Sequence, residues 1–550
     1  MHVQQRNILR NAILTTVLFV TASCGKASEK KEQHASIVQA SVLPAGWYPT
    51  DQKILTNEIK TYFDLSQKHF GTTIDAQSIK AIIVPHAGYF YSGLCAATAY
   101  HTLLNTTDKH KKNSHYTRVI ILAPSHTSFF NGVSLPNYTV YRTALGDIPI
   151  DVETIKTLSK HELFRGSSEA HDKEHAIEVQ LPFLQQTLTD FSIVPLIVGH
   201  LRDEKAFAIA KELRKFIDDR TLIVVSSDFV HQGKSYEYQP FSKDIINMTR
   251  YIDSLAVQAL CLQSYNAFNT MITQTGATIC GQEALRILLA LCEMQALGTT
   301  DAHLCCYYTS AHLNKARQAN PAIIDIAQLF QPVPDDQGQE SVSYVGLVFA
   351  KPAHKKLPDL LTGYEKKSLL AMVKGVIAND LAPEENKIPD HLLAPIISTN
   401  LDLQVGAFVT LHKQGELRGC IGNIISPQPL HKTVMAMARA AAFNDSRFSP
   451  VGSDELNQLS IDITILSQPT HVNSYRDIVL GKDGIILQKY DINGRMTNSS
   501  VFLPQVPLGQ GWDLNTTLEQ LSLKAGLSRD GWKERCSFDV FEGFEITWNS

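Results

Sequence analysis

An α/β domain followed by a smaller α+β domain is the fold class this 550-residue sequence predicts, and three observations predict it. Four short runs, "KAIIVPH" (80–86), "RVIILAPSH" (118–126), "FSIVPLIVGH" (191–200) and "TLIVVSSDFVH" (221–231), are apolar at nearly every position. Such runs read as strands covered on both faces, as in a parallel or mixed sheet. Helical stretches lie between them, for example 203–219, where Phe207, Ile209, Ala210 and Leu213 recur at helical spacing. After about residue 351 the pattern changes to a helix, a hairpin turning at Gln414 and Gly415, an alanine- and methionine-rich helix (429–443) and strands "LSIDITIL" and "GIILQKY", which together read as α+β.

The composition, 44% hydrophobic and 19% charged, supports a sizeable core, and the length favours several domains over one. A net charge of -4, with no long lysine or arginine block, gives no electrostatic footprint for nucleic acid, so that class of partner is set aside. The nine cysteines show neither the dense spacing of a disulfide scaffold nor a CxxC pair, and the adjacent Cys305 and Cys306 read as core packing.

The N-terminus has its own logic. "MHVQQRNILR" carries two arginines and leads into "NAILTTVLFVTASC", an apolar run too short to span a bilayer and ending in small residues, as a secretory signal does. "TASC" (21–24) resembles a bacterial lipoprotein box, in which Cys24 becomes the lipid-modified first residue; Thr21 stands where that pattern has leucine. The alternative is an uncleaved anchor or a plain signal peptide. Residues 25–40 then form a polar tether. The expected location is the bacterial cell envelope, exported and attached to the membrane through the lipid, or the cytoplasm if the signal reading fails.

All four apolar runs end in polar residues: His86, Ser125 with His126, His200, and Ser226, Ser227, Asp228 and His231. In open α/β sheets ligands bind outside the carboxyl ends of the strands, so these ends predict a site. Cys280 falls just before a helix that begins near Gly281, where the positive end of the helix favours thiolate; alternatively it is a small buried hydrophobe. Two imidazoles and a thiolate suit a transition metal with an open position. In "EHAIEVQ" (174–180), His175 and Glu178 lie three apart on one helical face, either serving the pocket or bracing the helix, and Pro182 restarts it. His231 lies three residues past Asp228, a spacing in which His231 moves protons while Asp228 orients it or a metal-bound ligand, neither being a metal ligand itself. In the second domain "LRGCIG" places Arg418 beside Gly419, Cys420 and Gly422, where backbone amides approach an anion, or where Cys420 is core and the glycines permit tight packing.

Seven stretches, "AGWYP", "VPHAGYFYSG", "APSH", "EHAIEVQLPFLQ", "SSDFVH", "TICG" and "SVSYVG", resemble the Memo family, the B component of the AmmeMemoRadiSam system. The resemblance implies the α/β fold of class III extradiol dioxygenases and places the metal ligands on His86, His126 and Cys280, with Trp47, Asp228 and His231 lining the pocket. It implies a transition metal, iron or copper ahead of zinc. The ring-cleaving enzymes resemble a site of two histidines and one carboxylate, whereas this sequence offers cysteine in the third place. "LRGCIG", "AAAFNDSRFSPV", "VFLPQVP", "GWD" and "KAGL" resemble the AMMECR family, the A component of the same system. The expected layout is a signal over 1–24, a tether over 25–40, a Memo-like domain over 41–352, a linker over 353–364 and an AMMECR domain over 365–550. Two functions follow as expectations. One is a metal-dependent redox protein of the AmmeMemoRadiSam system, dioxygenase-like on an unidentified small molecule. The other is a non-catalytic metal-binding or scaffold protein whose AMMECR domain engages a partner, such as the radical SAM protein of that system.

Overall fold

The computed structural model describes residues 37–44, 46–104, 112–202, 205–333, 340–353, 357–394 and 398–548. The signal segment, Cys24 and most of the tether lie outside these residues. Among those described, no helix is long and apolar enough to cross a membrane.

The predicted strands form. The first sheet has eight: β1 (Ile79–Val84), β2 (Arg118–Pro124), β3 (Val133–Ser134), β4 (Ser192–Val198), β5 (Thr221–Ser226), β6 (His231–Gln232), β7 (Asp301–Thr309) and β8 (Ser341–Ala350). Their order is β7-β8-β1-β5-β2-β4-β3, and β6 pairs with β8. The central strands β1, β5, β2 and β4 are parallel, and β8 runs antiparallel to β1 and β7. Every residue of β1 and β5 is buried, and so are all but the first of β2 and β4, which is why these runs carry no polar alternation. The helix Gln282–Glu293 packs on β2 and β5, and Lys205–Leu213 packs against that helix. Cys305 and Cys306 are buried in β7, and all eight described cysteines are free thiols.

Register decides where the strands deliver their ends. Val84 of β1 faces Ser226 of β5, and Leu122 of β2 faces Val225 of β5, so β1 and β2 leave the sheet on either side of β5 at one edge. Their next residues are Pro85–His86 and Ser125–His126.

The second domain holds an antiparallel seven-stranded sheet of β9 (Ala407–Lys413), β10 (Glu416–Asn423), β11 (Leu459–Leu466), β12 (Thr470–Val472), β13 (Asp483–Tyr490), β14 (Met496–Phe502) and β15 (Cys536–Ile546). The order is β10-β9-β11-β15-β13-β14, with β12 on β15. The predicted hairpin between β9 and β10 turns at Gln414 (φ 54°) and Gly415 (φ 86°), two left-handed residues in succession, as a tight two-residue hairpin requires. Helix Leu430–Phe443 packs on β9 and β10.

The two domains are joined closely. Thr362 caps the helix Gly363–Leu381 in a reciprocal box with Glu365, and its hydroxyl also donates to the Leu304 carbonyl of β7 (2.6 Å). Gly363 N donates to the Gly71 carbonyl (3.2 Å), and Leu361 to Glu365 are all buried. The C-terminal part of the 353–364 stretch thus docks on the first domain, and contacts are continuous over Ile37–Ser550.

Candidate metal centre

Three imidazoles meet at the sheet edge. His86 follows β1, His126 follows β2, and His175 opens the single-turn helix His175–Glu178. Among the described residues, these three form a group whose donor atoms all lie within 4.8 Å of one another. Ring centroids are 5.0 Å apart for His86 and His126, 5.4 Å for His86 and His175, and 4.4 Å for His126 and His175.

Hydrogen bonding fixes which nitrogen two of the rings present. Ser226 Oγ gives its hydrogen to the Ala176 carbonyl (2.7 Å) and accepts from Gln180 Nε2 (2.9 Å), so at 3.0 Å it accepts from His86 Nδ1–H. His126 Nδ1 lies 2.8 Å from the Glu174 carboxylate, and His175 Nδ1 lies 3.3 Å from the same oxygen. A proton on Nδ1 of His86 and of His126 leaves a lone pair on Nε2 of each, the arrangement by which an outer carboxylate or hydroxyl orients a metal-binding histidine, while His175 only lies near the same carboxylate. Burial, then the neighbouring histidines, hold His86 well below the usual imidazole range; burial and His126 bring His175 down to about 4. Both are therefore neutral donors at neutral pH. Burial acts to raise Glu174, but hydrogen bonds from His126 and Ala176 outweigh it, so its carboxyl stays below the ordinary range.

Cys280 sits beside this group, its Sγ 3.0 Å from His86 Nε2 and 3.4 Å from the Asp228 carbonyl. Gly281 makes that approach possible: a Cβ there would meet Ser227 Cβ at 2.4 Å. The expectation of a thiolate from the helix terminus needs correction. Burial, then the Asp228 charge, push the thiol well above its ordinary value, so Cys280 is a neutral thiol unless a cation joins it. The donor set fits a transition metal: imidazoles with free lone pairs, oriented from behind, with a soft sulfur alongside. His175 and Cys280 both lie where a third donor would join His86 and His126.

The three rings line an open cavity of about 730 Å³ whose wall also includes Trp47, Asp228, His231, Tyr236, Glu340 and Tyr344. Trp47 lies against His175, with centroids 4.4 Å apart. His231 faces the same space, but Asp228 does not orient it as the spacing suggested. His231 Nδ1 meets two carbonyls, Phe229 (2.8 Å) and Thr278 (3.2 Å), which fixes its proton there and leaves Nε2 free. Asp228 Oδ1 instead accepts from the His86 backbone N–H (2.7 Å), holding the loop that carries the metal-facing ring. Burial raises the Asp228 carboxyl.

Two further expectations move. Glu178 does not line the cavity; fully buried, it accepts from Ser41 Oγ, Val42 N, Tyr48 OH and Tyr141 OH, which ties the segment carrying Trp47 to the domain. His200 also stays outside, 3.7 Å from Glu283. Glu174 and Gln180, which organise the rings, were missed from sequence, although Glu174 immediately precedes His175 and caps its helix.

In the second domain, Arg418 is neutralised by Glu455 (3.0 Å) and donates to the Ser449 carbonyl (2.8 Å). Cys420 N donates to Asp445 (2.9 Å), so that amide already carries an anion, and Cys420 is half-buried with Thr410 Oγ1 at 3.3 Å. The glycines serve packing: a Cβ on Gly419 would lie 2.2 Å from the Ala441 carbonyl oxygen, and one on Gly422 would lie 2.1 Å from the Phe408 ring. The motif is a closed, ion-paired brace, and the reading of an open anion cradle is corrected accordingly.

Comparison with known proteins agrees with this division. Residues 42–322 match the family described as Memo-like protein, and residues 370–546 match AMMECR1. The chain is 29% identical over 291 residues to Protein memo-1 homolog of Caenorhabditis elegans, covering 51% of this chain and 79% of that protein. It is 33% identical over 229 residues to Protein MEMO1 of Homo sapiens, covering 40% and 74% respectively. Protein MEMO1 of Danio rerio is 31% identical over 262 residues, covering 46% and 84%. The chain belongs to the Memo family, and it carries an AMMECR1 domain behind its Memo domain in one polypeptide.

Proposed function

We propose that this chain is a metal-dependent redox protein acting on a small molecule in the cavity above His86, His126 and His175. The observation that carries the reading is the convergence of three imidazoles, two of them hydrogen-bonded from behind through Nδ1, on the floor of an open space large enough for a small ligand. Iron or copper held there by His86, His126 and either Cys280 or His175 would supply one-electron or Lewis-acid chemistry.

The chain's own residues have separable tasks. Glu174 and Ser226 orient the rings, and Asp228 fixes the His86 loop through its backbone. Trp47 and Tyr344 supply flat walls for a ligand. His231 Nε2 is the group placed to take a proton from the substrate, because Nδ1 is held by carbonyls. The experiment is oxygen uptake and product analysis with iron- or copper-loaded full-length protein over a panel of catechols and other small phenols. Turnover that falls about a hundredfold in H231A, with metal content kept, supports the assignment. Full metal occupancy without turnover of any compound favours the second reading, a metal-binding scaffold.

One observation favours that second reading for the C-terminal half: in the "LRGCIG" brace the Arg418 guanidinium and the Cys420 amide are already occupied by Glu455 and Asp445. We propose that the AMMECR domain engages a partner, for which the radical SAM protein of the AmmeMemoRadiSam system is the first to test by co-purification. Attachment to the envelope membrane through Cys24 belongs to the same proposal, and mass spectrometry of the purified N-terminus tests it.

A further inference from the structure

A second cavity, of about 580 Å³, lies between the helix Ile245–Cys261 of the Memo domain and the helices Asp390–Leu393 and Leu430–Phe443 of the AMMECR domain. It shares no lining residue with the metal centre. We propose that it binds a small organic carboxylate with an apolar body, whose charged end is received by Arg250.

The charge inventory carries the argument. Arg250 reaches into the seam between the domains and donates to the Leu392 carbonyl; among the described residues it makes no ion pair with a carboxylate. Partial burial acts against its charge and lowers its pKa, and Tyr307 and Tyr364, which offset this, lie outside the cavity wall. The second guanidinium in the wall is in the opposite condition. Arg439 is paired with Asp390 (2.6 Å) and Asp380 (2.8 Å), which also commits the one acidic side chain lining the cavity. Lys432 stands exposed at the rim. Arg250 is partly exposed, so an incoming anion would supply the counter-ion that its guanidinium lacks at the wall of the cavity. One unpaired guanidinium calls for one negative charge, and its planar fork matches a carboxylate.

The rest of the ligand follows from the remaining walls. Tyr251, Leu255, Leu392 and Met435 present apolar surface, so the body of the ligand is apolar. Because residues from both domains line the space, the bound molecule would bridge them, and its affinity would depend on their being docked.

Calorimetric titration of the full-length protein with octanoate and with octanamide, a neutral compound of nearly the same shape, tests this. Octanoate is expected to bind at least tenfold more tightly than octanamide, the scale of one charge-assisted hydrogen bond. R250Q should abolish the preference, leaving the two probes equal. Ala436 is exposed at the rim, so A436W should fold normally and weaken both probes by tenfold or more. Metal content should be unchanged in both variants. Equal binding of the two probes by the wild type, no binding of either at millimolar concentration, or octanoate binding unaffected by A436W would each overturn the proposal. If R250Q fails to fold, the wild-type preference and A436W still decide it.

Discussion

Asp253 offers a sharp test of how the Memo domain is built behind its metal-facing loop. It lies fully buried on the helix Ile245–Cys261 and accepts from Val230 N (3.1 Å) and Tyr307 OH (3.0 Å), which anchors the residue preceding His231. Burial pushes its carboxyl up to about 7, against hydrogen bonds from Val230 and Tyr307 that act to lower it. A raised folded value means that the native state holds the proton more tightly than the unfolded chain. The stability this contributes is fully present below the unfolded value near 3.8 and is lost as pH rises through about 7. At about 1.36 kcal/mol per unit, the loss between about pH 5 and about pH 8 is roughly 2–3 kcal/mol. D253N cannot ionise, and every other group titrates in both proteins. The measurement is urea unfolding of wild type and D253N at matched pH across that range, with the difference in stability taken at each pH. Wild type should lose about 2–3 kcal/mol relative to D253N as pH rises. A difference constant to within about 0.5 kcal/mol would mean that Asp253 is ionised throughout, and would refute the burial argument.

Three more outcomes follow from particular contacts. E174Q replaces a carboxylate that serves His126 Nδ1, His126 N and Ala176 N with a group having a single acceptor oxygen, so metal affinity measured by chelator competition should fall about 10- to 100-fold. G419A forces a Cβ to 2.2 Å from the Ala441 carbonyl oxygen and should destabilise the AMMECR domain by about 1–3 kcal/mol in thermal melts, with metal content untouched. E178A strips the shared acceptor from Ser41, Val42, Tyr48 and Tyr141, so chymotrypsin should cut faster after Trp47, and unchanged protection would show that Glu178 is not what holds that segment.

Much of this was legible in the sequence because continuous apolar runs have one good explanation, a strand buried on both faces. The pairing of His86 and His126 followed from their identical place after such runs. His200 has the same place after β4 yet turns to Glu283, because that strand lies one position beyond β2 and its following residues pair with Asn131. The hairpin at Gln414 and Gly415 was legible because the turn chemistry is local. Residues whose role depends on what approaches from another element were not. Glu178 reads as a pocket acid from its helical spacing, but tyrosines from two distant segments surround it. Asp228 reads as a partner of His231 by proximity in sequence, but the His86 amide reaches its carboxylate first. Nothing local to Cys280 reveals that burial and Asp228 cancel the help of the helix terminus.

The central claim is that the histidines at this sheet edge hold a metal, and elemental analysis with X-ray absorption on the full-length protein loaded with iron or copper tests it most directly. The account predicts about one ion per chain, nitrogen scatterers from imidazole, and loss of the ion in both H86A and H126A. A sulfur scatterer near about 2.3 Å would identify Cys280 as a ligand, and its absence would identify His175 as the third. Full occupancy retained in both H86A and H126A, or no ion retained by the loaded wild type, would contradict the account.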